Sequence, residues 1–283
     1  MNASIIDTHP HVIAADTQRY PRAPLGGHQS GWSQERPVGV EQLIAEQDRA
    51  GIGKAVLVQA STCYGHDNSY VADCVAAYPG RFTGVFSADI VAADACETMQ
   101  HWMNRGLTGM RLFTTGSTMP GQAGWLDDPR SFGAWEKAEA SRLPVCLQMT
   151  ADGIPAIENI LHRCPRLVLV LDHLARPVQE DGPPYGAADS LWRLAKYPGV
   201  FLKATERNFV GATKGKATPE SFFGRVVSEF GASRLAWGSN FPASERSLPE
   251  LVTLAQQTLA FLPDTDREWI FSRTAQTIYP ALA

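Results

Sequence analysis

Three consecutive segments decide the fold: Pro144-Val-Cys-Leu-Gln-Met149, then Ile154 to Arg163 opened by Asp152-Gly-Ile-Pro155, then Leu167-Val-Leu-Val-Leu-Asp172. The outer two are short and apolar. The run from Leu167 to Leu171 shows no alternation, which is how a strand covered on both faces reads. The middle segment carries helical spacing, and Asp152 and Pro155 are the cap and early proline that open a helix. Strands buried on both faces require helices around them, so the unit is a strand, a covering helix and a second strand.

The same unit recurs outward in both directions. Strands are predicted at Ser4 to Asp7, Lys54 to Gln59, Phe82 to Ala88, Gly109 to Phe113, Pro144 to Met149, Leu167 to Asp172, Val200 to Thr205 and Arg234 to Ser239. Helices are predicted at Val40 to Ala50, Ser69 to Tyr78, Asp94 to Arg105, Ser131 to Arg142, Ile154 to Arg163, Ser190 to Lys196, Glu220 to Phe230 and Leu248 to Leu262. A ninth helical stretch, Asp264 to Tyr279, is expected to pack outside. Gly51, Gly80, Gly106 and Pro198-Gly199 sit where helices end. Strict alternation through 283 residues predicts an α/β fold, a single (β/α)8 TIM barrel of residues 1-283 with an extra C-terminal helix. No G-x-G-x-x-G follows the first strand, against a dinucleotide-binding sheet.

Hydrophobic residues make up 44% and charged residues 19%, and a net charge of -4 gives no electrostatic case for nucleic acid or an anionic membrane. A small-molecule partner is expected. No basic, apolar leader opens the chain and no run approaches 18 apolar residues, so the expected location is cytoplasmic. The five cysteines are odd in number, widely spaced and lack a Cys-x-x-Cys pair, which reads as reduced core thiols. Apolar residues on outer helices do not fix an oligomeric state.

His9-Pro-His11 follows the first strand, and residues two apart in extended chain share a side about 6.6 Å apart. A metal ion or a polarised carbonyl would fit between such rings. Barrels build their sites at strand carboxyl ends. The residues there are His9 and His11, Ser61 to Asn68, Arg111, Gln148, Asp172-His173 with Arg176, then Lys203, Glu206 and Arg207, and Ser239-Asn240. Arg111, Arg176 and Arg207 come from three strands, and guanidinium pairs bidentately with carboxylate, so a carboxylated substrate follows. Dull readings stand beside these: Asp67 or Asn68 as a helix cap, Lys203 and Arg207 as solvated charges, Asp172 holding a backbone amide. In the long loops, Arg22 and His28 are expected as a lid, Trp32 and Trp125 as an apolar wall.

Taken in order, Asp7-Thr-His-Pro-His11, Arg19-Tyr20-Pro21, Val58-Gln-Ala-Ser61 with Asp67-Asn68, Gly109-Met-Arg111, Asp172-His173 with Arg176-Pro177, and Trp237-Gly-Ser-Asn-Phe-Pro242 resemble the amidohydrolase superfamily. The branch is that of 2-pyrone-4,6-dicarboxylate lactonase-like hydrolases and related sugar lactonases, and the likeness runs nearly end to end. It implies a (β/α)8 barrel that hydrolyses a cyclic ester, with His9, His11 and His173 around the scissile carbonyl. Ser61, Arg111, Gln148, Arg176, Lys203 and Arg207 are the expected substrate contacts. In such enzymes the strand-eight position is an aspartate that takes a proton from water; here it is Asn240. An amide is no general base at neutral pH. Neutral His173, Glu206 or a metal-held hydroxide are the alternatives, with Asn240 orienting the water.

Many amidohydrolases hold divalent ions with the His-x-His pair, histidines from strands five and six, and the strand-eight aspartate, and this chain has Gln148 and Asn240 at two of those places. The branch resemblance implies a metal-free site, the alternative being one Zn or Mn ion on His9, His11 and His173. Two other functions compete: a metal-dependent decarboxylase of an aromatic or unsaturated acid, and a non-catalytic protein that binds a small acid on this fold.

Overall fold

The computed structural model describes residues 5–283. Eight strands form one sheet in sequence order, every neighbouring pair parallel. They are β1 (Ile5–Asp7), β2 (Ile52–Val58), β3 (Phe82–Ser87), β4 (Gly109–Phe113), β5 (Val145–Gln148), β6 (Leu169–Asp172), β7 (Val200–Ala204) and β8 (Leu235–Trp237). The Thr8 amide (3.2 Å) and hydroxyl (2.6 Å) both donate to the Trp237 carbonyl, joining β8 back to β1. The expected (β/α)8 barrel is therefore the observed one. Ser4, the expected first residue of the opening strand, lies outside the described residues.

Several elements keep their expected bounds: the helices Val40–Ala50 and Ile154–Arg163, and β4. Local chemistry explains their neighbours. Ser247 and Glu250 form a capping box at the start of Leu248–Thr258, and Thr218 with Ser221 does the same for Pro219–Phe230. The strands' outer faces and the helices' apolar stripes make one continuous core, with Leu57, Leu112, Leu147, Leu169 and Leu202 all essentially inaccessible.

The C-terminal segment departs from expectation. It is two short helices, Asp264–Glu268 and Thr274–Ile278, around the wide turn Trp269–Arg273. It does not lie outside the barrel. Ala275, Ile278, Tyr279 and Leu282 pack on Ile6, Val56, Val58, Val85, Cys146 and Val170, apolar residues of five strands, and so form a plug. Lys54 Nζ secures it by donating to the carbonyls of Leu282 (2.9 Å) and Ala283 (3.0 Å). A barrel with apolar interior side chains needs a cover, and burying that surface drives the segment there. The site is left to the opposite mouth.

Candidate active site

The floor of the mouth is one buried carboxylate. Asp172 ends β6, and Lys203 lies beside it in register on β7. Both are fully buried, with Lys203 Nζ 2.9 Å from Asp172 Oδ1. Arg111 of β4 donates from Nε to Asp172 Oδ2 at 3.0 Å, and His9 Nδ1 stands 3.4 Å from Oδ1. Burial raises the Asp172 pKa, but Lys203, His9 and Arg111 outweigh it and hold the carboxyl well below the usual range. Burial likewise lowers that of Lys203, but Asp172 outweighs it and the net shift is upward. The pair is ionised at any working pH.

Above this floor stand three imidazoles. The ring centroid of His9 is 5.0 Å from that of His11 and 5.1 Å from that of His173. His11 Nδ1 lies 2.8 Å from the Val58 carbonyl, and Trp32 stacks on the ring at 5.2 Å. His173 Nδ1 lies 2.6 Å from Thr205 Oγ1. Burial, with Arg111 beside it, lowers the pKa of His11 to about 3. Burial lowers that of His173 to about 3 as well, with Arg111 and Arg176 adding to the fall. Burial also pushes His9 far down. All three rings are neutral near pH 7.

The backbone that carries His173 is strained. His173, Leu174, Ala175 and Arg176 all have φ between +54° and +56°, a single left-handed turn closed by Arg176 N–H on the His173 carbonyl at 2.9 Å. Each non-glycine residue in that region costs roughly 1–2 kcal/mol. The turn places His173 and Arg176 on the same cavity, and such strain concentrates where function requires it. Asn240 also has a positive φ, +59°, a conformation that asparagine adopts more readily than most residues.

The mouth encloses a cavity of about 470 Å³. Of the residues expected there, His11, Ser61, Arg111, Gln148, His173, Arg176, Arg207 and Asn240 line it, as does Trp32. His9 lies just beneath, fully buried, and both its ring nitrogens lack a hydrogen-bond partner. Four residues are placed elsewhere than expected. Lys203 is the strut of the floor, one step below the wall, with Asp172 and the Cys146 thiol (3.6 Å) as its neighbours. Glu206 opens the helix Glu206–Gly211 facing away from the cavity, its carboxylate bonded to Ser244 and paired with Arg246 at 2.7 Å. Arg22 is tied to Tyr64 and the Ala14 carbonyl, and Trp125 packs on the outer core. Thr62, within the expected stretch Ser61 to Asn68, lines the cavity too, whereas Phe113 and Ser117 line it without having been singled out; Phe113 ends β4 and Ser117 lies in the loop after it.

Asp172 pairs with two cations, Lys203 and Arg111, while two more, Arg176 and Arg207, line the cavity above it. Among the described residues Arg176 and Arg207 have no carboxylate partner, and no Asp or Glu lines the cavity. Neutral imidazoles can ligate a divalent ion, but these cations leave no anionic side chain free to offset its charge. No group of three His, Cys, Asp or Glu side chains among the described residues is arranged to hold one, Asp172 is already taken by Lys203 and Arg111, and Asn240 brings a neutral amide. The site thus offers an ion neutral imidazoles and no free carboxylate beside three guanidiniums.

Gly238 packs against His9 so closely that a Cβ there would stand 2.7 Å from His9 Cβ and 3.2 Å from His9 N. His9 has nowhere to retreat. Gly238→Ala is expected to lower turnover by about 10²-fold, because a displaced His9 shifts the segment that carries His11, at a stability cost of about 1–3 kcal/mol. Steady-state rates and melting curves of the same preparation check it; an unchanged rate would show slack at His9.

The family model for amidohydrolases matches residues 6–281. An L-fucono-1,5-lactonase from Burkholderia ambifaria is 29% identical over 215 residues, covering 74% of this chain and 70% of the relative. A candidate 2-pyrone-4,6-dicarboxylic acid hydrolase from Pseudomonas putida matches 100% of both chains with a TM-score of 0.79 at 22% identity. An amidohydrolase from Burkholderia multivorans, solved with bound zinc, gives a TM-score of 0.76 at 19% identity over 98% of this chain and 99% of that one. At such identities the solved structures speak for the barrel alone, whereas the family model spans nearly the whole sequence. With histidines at the ends of strands one and six and the cavity they line, the chain is an enzyme of the amidohydrolase family.

Proposed function

We propose that this protein hydrolyses the lactone ring of a small organic acid carrying at least one free carboxylate, without a resident metal. The observation that carries the reading is the cavity itself: three guanidiniums, two neutral imidazoles and no acidic side chain. A carboxylate laid on Arg176, Arg207 and the free edge of Arg111 supplies the missing counter-charge and fixes the substrate's orientation. The ring carbonyl then lies toward His11 and His173, where a preorganised N–H donor stabilises the developing oxyanion by roughly 3 kcal/mol. Hydrolysis converts the ring ester into a hydroxyl and a second carboxylate. The named likeness to an L-fucono-1,5-lactonase supports ester chemistry of this kind. Glu206 has no direct part, since Ser244 and Arg246 already occupy its carboxylate.

No helix of the described residues is long and apolar enough to cross a membrane. The five cysteines are free thiols, four of them buried, and we assign the protein to the reducing cytoplasm.

A panel of carboxylated lactones, assayed by proton release with metal content measured on the same preparation, tests the proposal. Turnover is expected at metal contents far below one per chain and unchanged by chelator. Activity lost to chelator and restored by zinc or manganese would overturn the metal-free reading. Carbon dioxide release in place of acid would make the protein a decarboxylase, and saturable binding without product a binding protein.

A further inference from the structure

The two cavity histidines differ in what their Nδ1 atoms meet, a backbone carbonyl for His11 and a hydroxyl for His173. We infer that His11 Nε2 is the proton acceptor that activates water, and that His173 presents Nε2–H to the carbonyl oxygen. The inference rests on the lactone reading above and goes further by dividing the chemistry between two named atoms.

The division follows from what each Nδ1 touches. The partner of His11 Nδ1, at 2.8 Å, is the Val58 carbonyl, which only accepts, so the ring's single proton sits on Nδ1. Its Nε2 is then a bare lone pair on a residue that lines the cavity. The ring cannot swing away. The His11 amide donates to the Phe241 carbonyl (2.8 Å), Val58 N–H donates to the Pro10 carbonyl (2.9 Å), and Trp32 covers one face.

His173 is the converse case. Its Nδ1 meets a hydroxyl, Thr205 Oγ1, at 2.6 Å. Among the described residues that hydroxyl has no other side-chain or carbonyl acceptor, so its hydrogen points at Nδ1 and the ring proton resides on Nε2. Asn208 fixes both partners: its Nδ2 donates to the His173 carbonyl at 3.0 Å and its Oδ1 accepts the Thr205 amide at 3.1 Å. His9 is excluded from either role at the substrate. It faces ionised Asp172 and lies under the cavity wall rather than in it.

The step balances. A water oxygen bonds to the lactone carbon while one of its protons passes to His11 Nε2, and the carbonyl π pair moves to the oxygen held by His173 Nε2–H. Collapse of that oxyanion breaks the ring C–O bond, and the departing alkoxide takes the proton back from His11. The new carboxylic acid loses its own proton to solvent. Burial and Arg111 hold the free His11 ring at about 3, and a substrate carboxylate laid on Arg111 cancels part of that cation. Binding therefore makes His11 a better base.

Two amide substitutions separate the roles, because glutamine offers an N–H but takes no proton. H11Q is expected to lose 10²- to 10⁴-fold in kcat, the range of a lost proton acceptor. H173Q keeps a donor and is expected to remain at least tenfold more active than H11Q. The reverse order, or H11Q within tenfold of the parent, overturns the assignment. Long-range proton–nitrogen NMR of the parent protein, with ring signals assigned by their loss in each variant, reads the tautomers directly. Nδ1–H on His11 and Nε2–H on His173 support the inference, and either opposite tautomer overturns it. The NMR result stands whether or not any lactone is turned over, so failure of the substrate reading and failure of this inference are distinguishable.

Discussion

Asp172→Asn is expected to destabilise the protein by about 3–5 kcal/mol, the cost of breaking a buried ion pair from one side. Lys203 Nζ at 2.9 Å and Arg111 Nε at 3.0 Å share the Asp172 carboxylate. An asparagine side chain has one acceptor oxygen and an NH2 group, so a donor must face one of the two cations. Lys203 is fully buried and Arg111 nearly so, and water does not replace the lost charge. At roughly 2–4 °C per kcal/mol for a chain of 150–250 residues, the melting temperature falls by about 10 °C or somewhat less for this longer chain. Turnover falls with it, because Arg111 loses the anchor that aims it. The partner variant gives the internal check. Adding Lys203→Met removes the stranded ammonium, and the double variant is expected to be more stable than Asp172→Asn alone, since apolar replacement of a buried pair is often neutral. A melting temperature for Asp172→Asn within 2 °C of the parent would mean that the floor is not held electrostatically.

Lys203 also shows where sequence reading stops. Alternation of strands and helices locates the carboxyl end of each strand, which is why Ser61, Arg111, Gln148, Arg176, Arg207 and Asn240 were legible as cavity residues. It does not give depth. Lys203 is the fourth of five residues in β7, close enough to the end to read as part of the mouth, yet its register against Asp172 sets it one layer below. Glu206 and Arg207 are adjacent at the start of one helix, where successive side chains diverge by about 100°, so only one of them faces the substrate. The left-handed turn from His173 to Arg176 was not legible at all, because no glycine marks it. Thr205 and Asn208 carry no motif either; their part in fixing the His173 tautomer comes from a contact across two strands. Nor does a helical apolar stripe say whether it covers the side of a barrel or its end, and that is the ambiguity that put the C-terminal segment outside.

The pH dependence of stability is the second large effect, and it comes from keeping three buried imidazoles neutral. In the unfolded chain each histidine binds a proton near pH 6.5; in the fold His11 and His173 do so only near pH 3, and His9 is also far depressed, each chiefly through burial. Between those limits the unfolded state carries more protons, so stability rises with pH across the window and is lost as pH falls below about 6.5. Each histidine contributes up to about 1.4 kcal/mol per pH unit there, giving an upper bound of several kcal/mol by pH 5. Asp7 works against this trend. Its carboxyl is pushed above the usual range by burial, so just above the ordinary carboxylate pKa the folded state takes the extra proton and recovers a fraction of the loss. Asp172 adds to the loss below about pH 4, where the unfolded carboxylate protonates and the buried one does not. At the alkaline end the raised pKa of Lys203 adds stability that disappears only as pH climbs through that folded value. Urea midpoints measured at pH 7.5, 6.5, 5.5 and 5 are therefore expected to fall steadily, with most of the drop below 6.5 and no change in the denaturant slope. A midpoint that stays flat from pH 7.5 to 5 would mean that these rings are hydrated or already charged in the fold, and the neutral imidazole chemistry assigned to His11 and His173 would have to be abandoned with it.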